Sequence, residues 1–444
     1  MANSIEHGVG SLQETEHDMM SSMSDLFTMP TVESSMQDGR TTILRPIDKS
    51  SEGPFSFKIP SQGAQYLQLA ATRLYMMLRL VNADGTDLTA DAKVAPVNLI
   101  GSSLFRSIDV EVNGMPIPQL SNMYSNYKAY IETILSYGKE AVDGHLTCSR
   151  LEMDKATEFH VADTTNDGWQ ERNTLAAGSA KFEVMIPLHC DLMQCDKLLL
   201  PGFELALKLT RADNSFTVHS ADADKSYKIV IDDIRLHIRH LTMAEDILSK
   251  HMTMLDRQPA VYPINKTVMK VFPQPAYDTT ILIPSLFDDV FPKTIIVGLL
   301  HSENFNGSQK TNPYHFQHFD LNFAALCVNG IYVPQEPYTP DWERGLVVRE
   351  YREFCDNVGI GDKNMANLVT PQMWKNGCFF LAFDLSPDHC FGRQMHKKNS
   401  GNISLTLKFK EALAKPTTVL AYGVYDSVVL IDKHSNITTD IGIS

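Results

Sequence analysis

The sequence predicts an all-β chain made of two consecutive β-rich units of similar length. Two sets of observations carry this. Residues 403–410, ISLTLKFK, alternate strictly: Ile403, Leu405, Leu407 and Phe409 are apolar, while Ser404, Thr406, Lys408 and Lys410 are polar. Successive side chains of a strand point to opposite faces, so one face here is apolar and the other polar. Residues 203–210, FELALKLT, repeat the pattern 200 residues earlier, at 203 against 403, and each strand follows a glycine, Gly202 or Gly401. Pro187 and Pro387 stand ahead of those glycines in the same way. The second set is a pair of Asn-Gly sites. Residues 112–118, VNGMPIP, resemble residues 328–334, VNGIYVP. Asn-Gly between apolar runs is the strongest short hairpin signal, because a type I′ turn needs positive φ at both central residues. Each feature alone is common; their shared order in the two halves is what argues for duplication.

The bulk numbers set limits. The chain has 444 residues, 43% of them hydrophobic and 21% charged, enough for two or three globular domains with ample core. A net charge of −14 argues against nucleic acid as the main partner, since phosphate binding needs fields of Lys and Arg. The seven cysteines are an odd number with no C-x-x-C, and they read as reduced structural thiols; Cys190 and Cys195 are the closest pair. Residues 1–20 are polar and acidic with no apolar stretch, so no secretory signal is visible. The longest apolar run, around 295–300, is too short for a membrane span. Asn265, Asn306, Asn402 and Asn436 each head an N-x-Ser/Thr pattern, expected to stay unglycosylated without that signal.

Taken in order, residues 1–40 are rich in Ser, Met, Glu and Asp and read as a flexible or partner-ordered arm, with Asp25-Leu26-Phe27 its one apolar spot. Strands are expected over 42–44, 55–59, 66–69, 73–80 and 105–112, with a turn at Asn82-Ala83-Asp84-Gly85. Over 121–139, Tyr124, Tyr127, Ile131, Ile134 and Leu135 fall at helical spacing, and Gly138 suits a stop. Residues 143–178 read as a long polar loop turning at Asn166-Asp167-Gly168. Strands over 182–186, 203–210, 216–219 and 227–238 finish the first unit. Ile247, Leu248, His251, Met252 and Leu255 share one side of a short linking helix over 243–255. The second unit repeats the scheme: strands over 267–272, 279–283, 293–300 and 319–328, a proline-stiffened excursion at Pro334, Pro337 and Pro340, then strands over 378–385, 403–410, 419–425 and 428–433. Many short strands with few helices fit sandwiches or barrels.

No constellation in the sequence carries catalysis. There is no phosphate loop, dinucleotide fingerprint, nucleophile elbow or H-E-x-x-H. His315 and His318 are the best metal-ligand candidates, but three residues apart on a strand they face opposite sides, and no third ligand is evident. Asp232-Asp233 and Asp288-Asp289 are adjacent acids that point apart on strands and make no acid/base pair. His396-Lys397-Lys398 is a small basic loop, too small for a nucleic-acid patch. Trp169, Trp342 and Trp374 fall in loops, where interface anchoring and local packing both remain open. The expectation is therefore no catalytic, cofactor-binding or metal-binding residue and no cofactor.

Several stretches together resemble a known family. They are Asp25-Leu26-Phe27, LVNADGTDL at 80–88, VNLIGSSLFRSIDVEVNG at 97–114, YKAYIETILSYGKEA at 127–141, CDKLLLPG at 195–202, NPYHFQHFDLNFAALCVNG at 312–330, FDLSPD at 383–388, and SGNISLTLKF at 400–409. In these the chain looks like the double jelly-roll major capsid proteins of Polinton/Maverick elements and adintoviruses, a lineage related to adenovirus hexon. The resemblance runs nearly end to end but carries little over 1–20 and 155–180. It implies an all-β chain of two eight-stranded jelly-roll sandwiches with a few short helices in loops: a 1–40 arm, a first jelly roll over 41–243, a linker with a short helix over 244–258, and a second jelly roll over 259–444. It further implies homotrimeric, pseudo-hexameric capsomers of an icosahedral shell. Self-association, then penton and minor capsid proteins, would be the partners, with no sequence-specific nucleic acid. The location would be the virion capsid, with assembly in the host nucleus or cytoplasm and no secretion.

Two other classes compete. A bicupin-like metalloenzyme would share a double β-barrel, but neither half has a Gly-x5-His-x-His cluster. A carbohydrate-binding or cell-surface β-sandwich protein would share the strands, but the missing signal and odd cysteines count against it.

Overall fold

The computed structural model describes residues 33–441, apart from 49–51, 62, 118–121, 223, 289, 362–364, 388, 390–394, 398 and 435. Most of the expected arm, including Asp25-Leu26-Phe27, lies outside the described residues.

The alternating stretches form strands with their apolar faces buried. In the first unit the principal strands are β1 (Met36–Leu44), β2 (Phe55–Ile59), β3 (Gln65–Asn82), β4 (Phe105–Val112), β5 (Met115–Pro116), β6 (Phe182–Pro187), β7 (Leu205–Arg211) and β8 (Tyr227–Met243). In the second they are β9 (Ala260–Gln274), β10 (Thr280–Ile283), β11 (Thr294–His301), β12 (Leu321–Val328), β13 (Ile331–Tyr338), β14 (Phe380–Asp384), β15 (Ile403–Phe409) and β16 (Thr417–Ile431). The first unit pairs them as β1-β8-β3-β6 and β2-β7-β4-β5, the second as β9-β16-β11-β14 and β10-β15-β12-β13. Each strand of the second unit thus takes the place of the strand eight positions earlier, and all these pairs are antiparallel. This is the jelly-roll order, twice. Leu205, Leu207 and Leu209 on β7, and Ile403, Leu405 and Leu407 on β15, are buried between the facing sheets.

Both Asn-Gly turns are two-residue hairpins with positive φ at each residue: 50° and 75° at Asn113 and Gly114, 50° and 85° at Asn329 and Gly330. The asparagines do a second job, and it too is duplicated. Asn113 Oδ1 accepts the Glu204 N–H at 3.0 Å, and Asn329 Oδ1 accepts the Asn402 N–H at 3.0 Å, so each hairpin tip is tied to the start of the neighbouring strand.

Several local expectations are corrected. The strands expected over 66–69 and 73–80 are one strand, β3. A bulge interrupts its ladder, with Gln68 opposite Arg239 and Arg73 opposite His237. Residues 419–425 and 428–433 likewise belong mostly to one strand, β16. The proline excursion is the edge strand β13, where Pro334 and Pro337 are tolerated because an edge leaves N–H positions unpaired. Residues 216–219 open with a helical turn, Asn214–Thr217, before the short strand Val218–Ser220. The helix expected over 121–139 is α1 (Ser125–Ser136); Tyr137 ends it by turning extended, and Gly138 instead precedes a further short helix, Lys139–Val142. The 143–178 stretch is not a structureless loop. It holds a 3-10 turn, His145–Ser149, and helix α2 (Asp167–Ala176). Asn166-Asp167-Gly168 starts that helix, and a side chain at Gly168 would meet the Met153 carbonyl oxygen at 2.5 Å. The linking helix is α3 (Glu245–Leu255), between β8 and β9, with Glu245 and Asp246 complementing its N-terminal dipole. A final strand, Ile437–Ile441, pairs with β16 and was not expected. Two helices also follow β13: α4 (Val348–Asn357) and α5 (Pro371–Asn376). No helix among the described residues is long and apolar enough to cross a membrane.

Candidate functional site: the seam between the two units

The residues singled out in the sequence do not converge. His315 stacks against His160, ring centroids 5.6 Å apart, and His318 stacks on Trp342 at 3.8 Å. Burial pushes both imidazoles down to about 4, so both are neutral at pH 7. No group of three His, Cys, Asp or Glu side chains among the described residues is arranged to hold a metal ion. Asp232 pairs with Lys181 at 2.8 Å and lies 3.6 Å from Arg79, Asp233 pairs with Arg235, and Asp288 pairs with Lys270. Asp289 and Lys398 lie outside the described residues. His396 gives its backbone N–H to Asp426 at 2.9 Å. The three tryptophans are buried and locally packed, each indole donating to a backbone carbonyl: Trp169 to His219, Trp342 to Leu321 and Trp374 to Phe380. Trp169 and Trp374 lie on helices α2 and α5, not in loops.

What the fold does bring together is a charged seam that no sequence motif announced. Helix α1 and residues 189–200 of the first unit face β9, β11 and β16 of the second. Lys128, on α1, is buried and makes an ion pair with buried Asp191, and it also lies 3.5 Å from Glu132 one turn later. Asp191 then crosses the seam, accepting the Thr267 hydroxyl at 2.8 Å and the Thr267 N–H at 3.2 Å. Glu132 crosses it too, accepting the Tyr422 hydroxyl at 3.0 Å. On its own side Glu132 meets His189 Nδ1 at 2.7 Å and Gln194 Nε2 at 2.9 Å. Burial alone would raise the Glu132 carboxyl, but the Lys128 charge and the bonds from His189 and Gln194 outweigh it and hold it down at about 2. Burial likewise opposes the Lys128 charge, and the Glu132 and Asp191 carboxylates overcome it, raising its pKa.

Apolar contacts extend the seam. Tyr130 stacks on Tyr314 with centroids 4.0 Å apart, and Tyr127 stacks on Phe305 at 5.4 Å. Ser103 and Tyr314 share a buried hydroxyl–hydroxyl bond of 2.6 Å. One hydrophobic core therefore runs through both units. Beside it lies a cleft of about 700 Å³, with Glu132, Asp191, Asp384, Asp426, Lys293 and Tyr422 in its wall. The four acids named are already engaged, Glu132 and Asp191 as above, Asp426 by Lys293 at 2.6 Å, and Asp384 by the Ser386 N–H at 2.9 Å. The buried thiol nearby, Cys190, is pushed up to about 11 by burial, which makes it a poor nucleophile. The arrangement fixes one unit against the other. A signal for it existed: within the apolar run of α1, Lys128 and Glu132 are charged residues at i,i+4 spacing.

No family model matches the chain. An uncharacterized protein of Caenorhabditis elegans is 23% identical over 428 residues, covering 93% of this chain and 99% of that protein. Among solved structures, a chain from the cryo-EM structure of the Sputnik virophage superposes with a TM-score of 0.60 at 14% identity, covering 100% of this chain and 95% of its own. The mavirus major capsid protein gives a TM-score of 0.54 at 11% identity, covering 100% and 97%. The Faustovirus major capsid protein gives 0.51 at 10% identity, covering 92% and 93%. At these identities the likeness is one of fold: the chain carries the double jelly roll that these viral proteins share, over essentially its whole length.

Proposed function

We propose that the chain is a structural shell protein, a major capsid protein that assembles as homotrimers. The observation that carries the reading is the strand-for-strand duplication, β1–β8 repeated as β9–β16. Three chains with two like lobes each present six similar lobes, so a trimer can tile as a pseudo-hexagon in an icosahedral shell. The fold likeness to viral capsid proteins supports the same reading. In it, the arm expected over 1–40 ends at about residue 35, because residues 36–40 already pair with β8 as part of β1; 36–243 and 259–444 are the two jelly rolls, and 244–258 link them. The partners are further copies, then penton and minor capsid proteins, and the location is the virion. The Polinton/Maverick–adintovirus lineage is the one the sequence motifs favour. The chain has no catalytic turnover and carries no metal or cofactor.

Light scattering coupled to size exclusion tests the association. A trimer supports the proposal; a folded chain that stays monomeric at every concentration refutes it.

A further inference from the structure

The two ends of the seam are built from different chemistry. At one end stands the network of Lys128, Glu132 and Asp191. At the other, residues 309–315 of the second unit lie across the first as a strap. Gln309 binds it through main chain and side chain: its carbonyl accepts the Ser220 N–H at 2.6 Å, its Oε1 accepts the Tyr227 N–H at 3.1 Å, and its Nε2 donates to the Tyr227 carbonyl at 2.7 Å. Asn312 Nδ2 donates to the Phe159 carbonyl at 2.9 Å and to Asp154 Oδ2 at 3.3 Å. The Pro313 carbonyl accepts the Tyr127 hydroxyl at 3.2 Å, and the Tyr314 hydroxyl meets that of Ser103. Apart from Asp154, the groups in these bonds are uncharged.

Imidazoles are packed between the strap and the first unit. The His315 ring lies against Phe159 and His160, with centroids 6.3 and 5.6 Å away. It hydrogen-bonds the Asn376 backbone and faces His219 and His301, and Gln317 Nε2 is 3.3 Å from its Nδ1. His219, beside Ser220 on the short strand Val218–Ser220, is 1% exposed, and neither of its ring nitrogens has a hydrogen-bond partner among the described residues. Facing it are Asp154, Arg172 and His160. Asp154 is already engaged by Arg172 at 2.7 Å, and Arg172 has Glu152 near it, whose carboxyl hydrogen-bonds Glu171. His301 packs on Phe319 and faces Lys415 and Glu303. His318 stacks on Trp342 within the second unit and faces Asp320 and Lys375.

A neutral imidazole carries one N–H and one lone pair, and leaving both unmet in the interior is costly. A protonated one at His219 would put a second cation beside Arg172, whose counter-ion is already shared. Burial accordingly holds His219 and His315 down from 6.5 to about 4. Released into water, each would take up a proton between those values. The closed strap therefore has its full stability above about pH 6.5 and loses it as pH falls from there towards 4.

We propose that residues 309–315 are an acid-released strap, which holds the second unit to the first while the His219 and His315 imidazoles are neutral and lets go when they gain protons. The other end of the seam stays shut over that range, because Lys128 and Asp191 are paired and Glu132 keeps its charge down to about pH 2. The units then part at one end only. The inference concerns a single chain and does not depend on the shell reading.

Hydrogen exchange read by mass spectrometry tests it, on the full-length chain at pH 7, 6 and 5, with the intrinsic pH dependence of amide exchange divided out. With two histidines taking up protons, the opening constant of peptides covering 309–315 should rise about 50-fold from pH 6 to pH 5, against about 7-fold with one. Peptides of α1 should stay protected. His219→Leu keeps an apolar filling and removes one proton, so its rise should fall to the single-histidine value. Should that variant fail to fold, His315→Phe, which keeps a ring against Phe159 and His160, takes its place. A strap that opens alike at all three pH values overturns the proposal. So does a rise of wild-type size in the variant, which would put the protons elsewhere. A rise that α1 shares in step also overturns it, since that is general acid unfolding and not release of one end.

Discussion

Asp191→Ala probes the seam at its most buried point. The Asp191 side chain is 0% exposed and the Lys128 side chain 2%. Removing one member of a buried pair costs about 3–5 kcal/mol, because the other charge is left unpaired in a poor solvent for it. Lys128 keeps Glu132 at 3.5 Å, which puts the cost at the low end, about 3 kcal/mol. Thr267 also loses the acceptor of its N–H and hydroxyl, adding on the order of 1 kcal/mol. At roughly 2–4 °C per kcal/mol for a unit of this size, the melting transition should fall by about 8–16 °C. Circular dichroism melts of parent, Asp191→Ala and Asp196→Ala make the comparison; Asp196 is exposed next to the seam and should change little. The double variant Lys128→Met/Asp191→Asn removes both charges and keeps an acceptor for Thr267, but it also takes the Lys128 charge from Glu132, so it should recover only part of the loss. If Asp191→Ala melts with the parent, the network does not hold the units together.

Other outcomes follow from the same geometry. Leu407→Ala, fully buried on β15, should cost on the order of 2–5 kcal/mol and cut soluble yield, whereas Thr406→Ala on the opposite face should do little. The reverse result would mean that the faces of the strand are misassigned. Folding lowers the Glu132 pKa from 4.5 to about 2, so its ionised form stabilises the fold above about pH 4.5, and this contribution is lost as pH falls from there towards 2. Glu132→Gln should be less stable at neutral pH, yet lose less over that acid window in urea titrations at stepped pH; an unchanged acid profile would contradict the assignment. Dialysis against a mild chelator should leave no stoichiometric zinc, iron or manganese by elemental analysis, and retained metal would contradict the absence of a ligand set.

The parts of the fold legible in the sequence are those whose cause is local. A period of two set by a single buried face found β7 and β15, and the Asn-Gly dipeptides found both hairpins, since the φ > 0 requirement belongs to the turn itself. Legibility failed where tertiary surroundings decide. β16 is buried on both faces along much of its length, so its alternation vanishes and it reads as two pieces. β3 reads as two strands because a bulge at 69–72 breaks its register. The polar stretch 143–178 reads as loop, yet Arg172 of α2 is buried against Asp154 at 2.7 Å, a pairing that composition does not reveal. The seam escaped for the same reason. Lys128 and Asp191 are 63 residues apart and Glu132 and Tyr422 are 290 apart, and only the completed fold brings them into contact.

The central claim is that two like lobes per chain exist to build a six-lobed ring. Electron microscopy of the purified full-length protein, with class averages viewed along the particle axis, addresses it most directly. The account predicts particles of six similar lobes arranged with threefold symmetry. Averages showing only two-lobed single chains, at concentrations where the protein is folded, would contradict it.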